Sequence, residues 1–177
     1  MKKYANGARN NVSALRVWLR VILTLLCLGV YAFIFYNSSL GEAESASQSS
    51  VVTDAVQSVA GVVAPESAVA TATGESYERL HDFVRLCAHF AEFALLGTLL
   101  IWCCFSYTDE KYFFIIPLLL IACTPVVDEY IQLFSSGRVA DLHDIYIDTL
   151  GGYLGALFAF ITVWIGKGIK RARKRIQ

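Results

Sequence analysis

The 177-residue sequence is short of charged residues. Only 17% of its residues are Asp, Glu, Lys or Arg, whereas 56% are hydrophobic. A soluble domain has roughly 25% charged and about 45–50% apolar residues. The P-loop and Rossmann glycine patterns are absent as well, and with them the usual sequence signals of nucleotide binding. The composition therefore predicts a membrane protein that has the lipid bilayer as a partner.

Cysteine pairs with the spacing of metal sites are also lacking. None of the five cysteines forms a C-x-x-C pair, which is the common signal of a structural zinc site. They lie in or beside apolar runs, where a thiol behaves as a small apolar side chain. We assign no disulfide and no cysteine-bound metal to Cys27, Cys87, Cys103, Cys104 and Cys123.

The sequence does contain four long apolar segments. A bilayer core of about 30 Å takes roughly 20 helical residues to cross, and the segments that satisfy this are residues 17–36, 88–107, 112–134 and 145–166. The predicted fold class is therefore all-α: a polytopic membrane protein with a four-transmembrane-helix bundle and a long external loop after helix 1. Residues 1–177 are expected to form a single membrane domain.

Lysine and arginine are concentrated at the two ends of the chain. Residues 1–20 contain five of them and residues 167–177 contain six, and neither stretch contains an acid. Four spans place both termini on one side, and the positive-inside rule makes that side cytoplasmic. Residues 37–82, with seven acids and one arginine, are then external. The basic tail is better explained by anionic lipid at the membrane surface than by nucleic acid.

A cleaved signal peptide is the alternative for residues 17–36, because basic residues precede this run and small residues follow it. Three spans would then remain. The apolar run of residues 21–36 is longer than the usual h-region of about 7–15 residues, which favours a true span.

The external segment is rich in Ser, Ala, Glu and Thr between residues 37 and 76, which is typical of a mobile stretch. Valines recur at helical spacing from Val51 to Val63. They predict a short amphipathic helix that rests on the membrane surface or on the bundle.

Polar residues gather at the predicted external ends of the second, third and fourth spans. An ionised group inside the bilayer costs about 2.5–3.5 kcal/mol even on the mild insertion scale, so these side chains should face one another. We expect Glu92, Glu129 and Asp148 to pair with Arg85, Arg138 or His89. The full candidate set is Arg85, His89, Glu92, Asp128, Glu129, Gln132, Arg138, Asp144 and Asp148.

Two interpretations of this cluster are open: an interhelical salt-bridge network, or a polar pocket that opens outward. No cofactor is evident, but the excess of acids could hold a divalent cation together with His89. Alternatively, some carboxyls could stay protonated. Arg138, Asp141 and His143 could also be no more than a solvated loop.

Small residues on the fourth span predict close helix packing. Gly151 and Gly155 lie on the same side as Asp148 and Ala159, a small-xxx-small pattern that lets a neighbouring helix approach closely. The acid and the glycines should therefore face a protein neighbour.

The motifs in this region resemble those of the VanZ-like membrane proteins. DEYIQ, SSGR and DIYIDTLGGYLG match the family's C-terminal signature, FVRLCAHFAEFALLG its second-helix motif, and FYNSSLG an element after its first helix. The C-terminal positions that carry the resemblance are Glu129, Gln132, Gly137, Arg138, Asp144, Asp148, Gly151 and Gly155. The resemblance implies a small bacterial multi-helix protein of the cell envelope. The family is named for a member associated with reduced susceptibility to teicoplanin-type glycopeptide antibiotics, and it implies no catalytic residues.

Three functions are compatible with these features. The first is an envelope factor that lowers glycopeptide susceptibility, with a cell-wall precursor or lipoglycopeptide as partner. The second is a membrane-embedded enzyme acting on a lipid-linked or phosphorylated envelope precursor. In it Glu129, Asp144 and Asp148 would be metal ligands or acid/base groups, and Arg85 and Arg138 would grip an anionic headgroup. The third is a small transporter or proton relay.

Overall fold

The computed structural model describes residues 2–108 and 110–176, with side chains for residues 14–108, 110, 112–173 and 175. Asp109, which lies between the predicted second and third spans, is therefore outside the described residues. A 3-10 turn, Lys111–Phe114, precedes the fourth of five α-helices. The helices are α1 Lys2–Ser39, α2 Glu42–Val63, α3 Glu75–Tyr107, α4 Ile115–Gln132 and α5 Leu142–Ile176.

Four of these helices contain segments long and apolar enough to cross a membrane. The segments are Ala14–Ser39, Glu75–Tyr107, Tyr112–Gln132 and Leu142–Arg173. The predicted all-α, four-span architecture is thus confirmed. The helices α3 and α5 extend beyond the predicted apolar runs because their backbone hydrogen bonds stay within the helix, so polar residues can continue it past the bilayer core.

Helix α3 lies at the centre of the bundle and packs against α1, α2, α4 and α5. Its closest neighbour is α5, because glycines remove the side chains between the two backbones. A Cβ atom at Gly155 would overlap the carbonyl oxygen of Ala94, and one at Gly151 would lie 2.6 Å from the carbonyl oxygen of Phe90. Thr98 of α3 donates a hydrogen bond of 3.0 Å to the Gly155 carbonyl oxygen. The two helices therefore meet backbone to backbone.

An apolar core fills the remaining space between the spans. Ile34 of α1, Phe93 and Ile101 of α3, and Ile121 of α4 are all nearly fully buried. Many other large apolar side chains of the spans are exposed. In a membrane protein these outward-facing side chains contact lipid.

Helix α2 is longer than predicted and packs differently. It begins at Glu42 rather than near Val51. Its contacts with α3 include a polar one, between the Ala46 carbonyl oxygen and His81 Nε2 at 3.2 Å. Thr53 of α2 is fully buried. Gln57 also donates a 2.7 Å hydrogen bond to the carbonyl oxygen of Ala72. The valines, including Val59 and Val62, are exposed. Helix α2 as a whole rests on the bundle through its contact with α3, and a contact of its exposed valines with the membrane surface stays a prediction.

Candidate functional site

The predicted polar residues lie at one end of the bundle. This polar end is formed by the last turn of α1, α2, the first half of α3, the last turns of α4, the loop of residues 133–141 and the first turns of α5. Within the described part of the chain, the buried charged side chains all lie here: Asp128, Glu129, Arg138 and Asp148.

A chain of hydrogen bonds joins α1, α4 and the following loop. The Asp128 carboxylate accepts hydrogen bonds from the Ser38 hydroxyl and from Gln132 Nε2, the latter at 2.9 Å. Gln132 Oε1 in turn accepts from Arg138 Nη1 at 2.6 Å. Because buried polar groups cost free energy unless they are hydrogen-bonded, this chain fixes the α4 end against α1. Ser38 was not among the predicted site residues, although the FYNSSLG motif contains it.

The loop of residues 133–141 is tied down on two sides. Glu129 Oε1 accepts a hydrogen bond from the backbone N–H of Asp141, and the Ser136 carbonyl oxygen accepts one from the Glu42 N–H at 2.9 Å. Gly137 has a φ of 80°, a left-handed conformation that favours glycine. This turn directs the next residue, Arg138, into the protein.

The alternative of a solvated loop therefore holds for some of these residues and not for others. Arg138 is 9% exposed, and burial lowers the pKa of its guanidinium from the ordinary value. The side chain of His143 is 64% exposed, and Asp141 is exposed as well. Arg138 belongs to the interior, whereas His143 and Asp141 lie at the surface.

The expected ion pairs are arranged differently from the prediction. Arg85 pairs with Glu42 of α2 at 3.0 Å, a partner that the prediction missed because Glu42 lies in the stretch expected to be mobile. Glu129 binds a backbone N–H instead of an arginine. Among the side chains that the structure describes, Glu92 forms no ion pair within 4.0 Å, and Asp148 has only His89, with Nδ1 4.0 Å from Oδ2.

Two cavities open at the polar end, and Arg85 and His89 line both of them. The first, of 170 Å³, lies between α1, α2 and α3, and its lining includes Arg138, Glu92 and Asn37. Its cations outnumber its one acid, so it suits an anionic group.

The second cavity, of 570 Å³, has the opposite character. Its lining includes five acids, Glu42, Asp82, Asp141, Asp144 and Asp148. Asp144 lies at its rim, with a side chain that is 46% exposed. This cavity suits a cationic group.

Two buried polar atoms of the site have no hydrogen-bond partner among the described residues: Arg138 Nε and Asp148 Oδ1. Each such atom in a folded protein calls for an explanation, since an unsatisfied buried group costs about 1–3 kcal/mol. The side chain of Arg138 lines the first cavity and that of Asp148 the second.

Comparison with known proteins places these features in a family. The family model VanZ/LLP1 matches residues 22–164, a range that contains every residue of the candidate site. No curated protein and no solved structure gives a significant match. The matched range covers most of the chain and includes parts of all four spans. The chain therefore belongs to the VanZ/LLP1 family and is a multi-pass, VanZ-like membrane protein.

Proposed function

We propose that this chain is a bacterial cell-envelope protein whose polar end faces outward and binds the anionic headgroup of a lipid-linked cell-wall precursor. By occupying such molecules at the outer membrane surface, it lowers susceptibility to teicoplanin-type glycopeptides. The antibiotic class comes from the family resemblance. The headgroup chemistry comes from the site.

The observation that carries the proposal is Arg138. It is buried, its Nε has no partner among the described residues, and it lines the 170 Å³ cavity with Arg85. Guanidinium groups bind phosphate oxygens through planar, often bidentate hydrogen bonds. A cavity of this size admits a phosphate or diphosphate but not a whole glycopeptide, which favours the precursor headgroup as the ligand.

The lining of the cavity also suits an amphiphilic ligand. Asn37, Ser45 and Ser49 offer hydrogen-bonding groups, while Phe33 and Val52 are apolar. A lipid headgroup enters from the membrane with its charged part ahead of its hydrocarbon chain, so it needs both kinds of contact.

Susceptibility measurements test the function. Expression of the wild-type chain in a strain that lacks it should raise the inhibitory concentration of teicoplanin-type drugs, and Arg85→Gln should return it to that of the empty strain. The matched control is Arg79→Gln, which removes an exposed arginine of the same helix. An unchanged inhibitory concentration on deletion and expression would contradict the proposal.

A direct binding assay distinguishes the lipid headgroup from the antibiotic as the ligand. Purified protein should bind a lipid diphosphate in bilayer nanodiscs, and Arg138→Lys should weaken this binding because an ammonium cannot reproduce the planar guanidinium. Loss of folded protein in Arg138→Lys would instead indicate a packing role for this residue.

The orientation of the chain in the membrane can be tested separately. In a chain whose native cysteines are replaced by alanine, a membrane-impermeant maleimide should label Glu66→Cys in intact cells and should label Arg175→Cys only after lysis. Both positions are exposed, so access depends on the side of the membrane. The reverse pattern would place the polar end in the cytoplasm and contradict binding at the outer membrane surface.

An enzyme acting on the same lipid-linked precursor is the second candidate. Asp148 and His89, 4.0 Å apart beside the cavities, favour it because such a pair could hold or move a proton. Glu129, already bonded to the Asp141 N–H, is then a positioning residue. An enzyme would release phosphate from a lipid diphosphate, and Asp148→Asn would abolish this release. A binding protein would release no phosphate.

A transporter or proton relay is less well supported. The buried charged side chains of the described residues lie at one end of the bundle, and the core between the spans beyond them is apolar.

A further inference from the structure

We infer that His89, Asp128 and Asp148 form a binding site for one divalent metal ion, and that Zn²⁺ is the ion that fits it best. One ligand atom of each residue lies within 4.8 Å of the other two. The three residues come from three helices, α3, α4 and α5. The site is thus formed by the tertiary fold and not by a local sequence motif.

One carboxylate oxygen of Asp148 lacks a partner within the described part of the chain. Asp148 is 3% exposed, and its Oδ1 has no hydrogen-bond partner among the described residues, while its Oδ2 faces His89. A buried carboxylate is normally paired with a cation or bound to a metal. A metal ion beside His89 would satisfy the free oxygen.

The negative charge of the cluster also favours a metal ion. The cluster contains two carboxylates, whereas Arg85 pairs with Glu42 and Nη1 of Arg138 donates to Gln132. No arginine or lysine among the described residues lies within 4.0 Å of the carboxylate oxygens of Asp128 or Asp148. A dication would balance the two negative charges.

The surroundings of Asp128 orient its carboxylate. Its carboxylate accepts hydrogen bonds from Ser38 and Gln132, and each carboxylate oxygen keeps a further lone pair. Hydrogen bonds of this kind orient metal-binding carboxylates in known sites and tune their affinity. The surrounding helices therefore hold Asp128 in place for the ion.

The ligand set selects the metal. An imidazole nitrogen with two carboxylate oxygens suits Zn²⁺ better than Mg²⁺ or Ca²⁺, which prefer oxygen alone. Ligand atoms of a tetrahedral zinc site lie about 3.4 Å apart, given metal–ligand distances of about 2.0–2.2 Å. Binding of the ion would draw the three ligand atoms, which lie within 4.8 Å of one another, toward this spacing.

Three protein ligands leave the fourth position open, as in catalytic zinc sites. His89 lines both cavities, so a phosphate oxygen or a water molecule could reach that position. The metal site does not rest on the proposed headgroup binding, because the ion can be measured on protein that carries no lipid.

The test uses the full chain in detergent, freed of metal with a chelator and then loaded with Zn²⁺. Elemental analysis after desalting should find one zinc per wild-type chain. The double variant His89→Gln, Asp148→Asn should bind it about 100-fold more weakly or worse, since even the loss of an outer hydrogen bond costs about 10–100-fold. His143→Gln is the matched control, because His143 lies 3.9 Å from Asp144 in an exposed His–Asp pair.

Cobalt substitution of the wild-type protein supplies a measurement that needs no variant. Co²⁺ bound by nitrogen and oxygen should give weak visible bands, whereas a strong near-ultraviolet thiolate band would assign the metal to the cysteines. Zinc retained equally by the double variant, or a wild-type chain that retains none, would overturn the site. Preference for Mg²⁺ over Zn²⁺ would overturn the choice of metal.

Discussion

Gly155→Ala is expected to destabilise the folded bundle by about 3 kcal/mol or more. The added Cβ would overlap the backbone carbonyl of Ala94, and a backbone atom cannot rotate away as a side chain can. Overpacking of a close-packed core usually costs about 1–3 kcal/mol, and here the two helices themselves must separate. The measurement is the temperature at which purified protein loses its monodisperse elution after heating.

Gly166→Ala is the control for this change, since it lies on the same helix and a Cβ there would meet nothing within 4 Å. Its stability should equal or slightly exceed that of the wild type, because alanine favours helix more than glycine does. Equal stability of the Gly155→Ala and Gly166→Ala proteins would show that α3 and α5 do not meet backbone to backbone.

Asp128→Ala is expected to lower the free energy of unfolding by about 2–4 kcal/mol. The change leaves Gln132 Nε2 without its acceptor, and an unsatisfied buried group costs about 1–3 kcal/mol. It also removes the Ser38 hydrogen bond, worth about 1 kcal/mol, although the Ser38 hydroxyl keeps the Ile34 carbonyl oxygen as an acceptor. Reversible unfolding in mixed micelles with a chelator present measures this cost without any contribution from bound metal.

Asp54→Ala is the comparison. Asp54 is exposed and accepts a 2.6 Å hydrogen bond from the Tyr77 hydroxyl, and surface changes usually stay within about 0.5 kcal/mol. If Asp128→Ala lowered the free energy of unfolding as little as Asp54→Ala, the hydrogen-bond chain from Ser38 to Arg138 would not hold α4 against α1.

Much of the fold follows from local features of the sequence. The four spans are recognised because apolar runs of about 20 residues match the bilayer thickness, and the structure has helices in each of them. Helix α2 was only partly predicted. The valines that predicted it are exposed, whereas its contacts with α3 include the Glu42–Arg85 ion pair and the Ala46 carbonyl oxygen with His81.

The candidate site follows from the sequence only in outline. Residues with shared helical faces and a common depth could be grouped, and the structure does place Asp128, Gln132 and Arg138 in one hydrogen-bonded chain. The partners could not be predicted. Arg85 pairs with Glu42, and Ser38 bonds Asp128, across 43 and 90 residues of sequence respectively.

Sequence alone determined the class of protein, the number of spans and the family, because hydrophobic run length and short motifs are local properties of the chain. Tertiary structure decided which polar groups meet. Whether Asp148 faces His89 or an arginine depends on the rotation of α5 about its own axis. That rotation is set by the glycine contacts with α3. These contacts join residues that are far apart in the sequence, so helical periodicity cannot predict them.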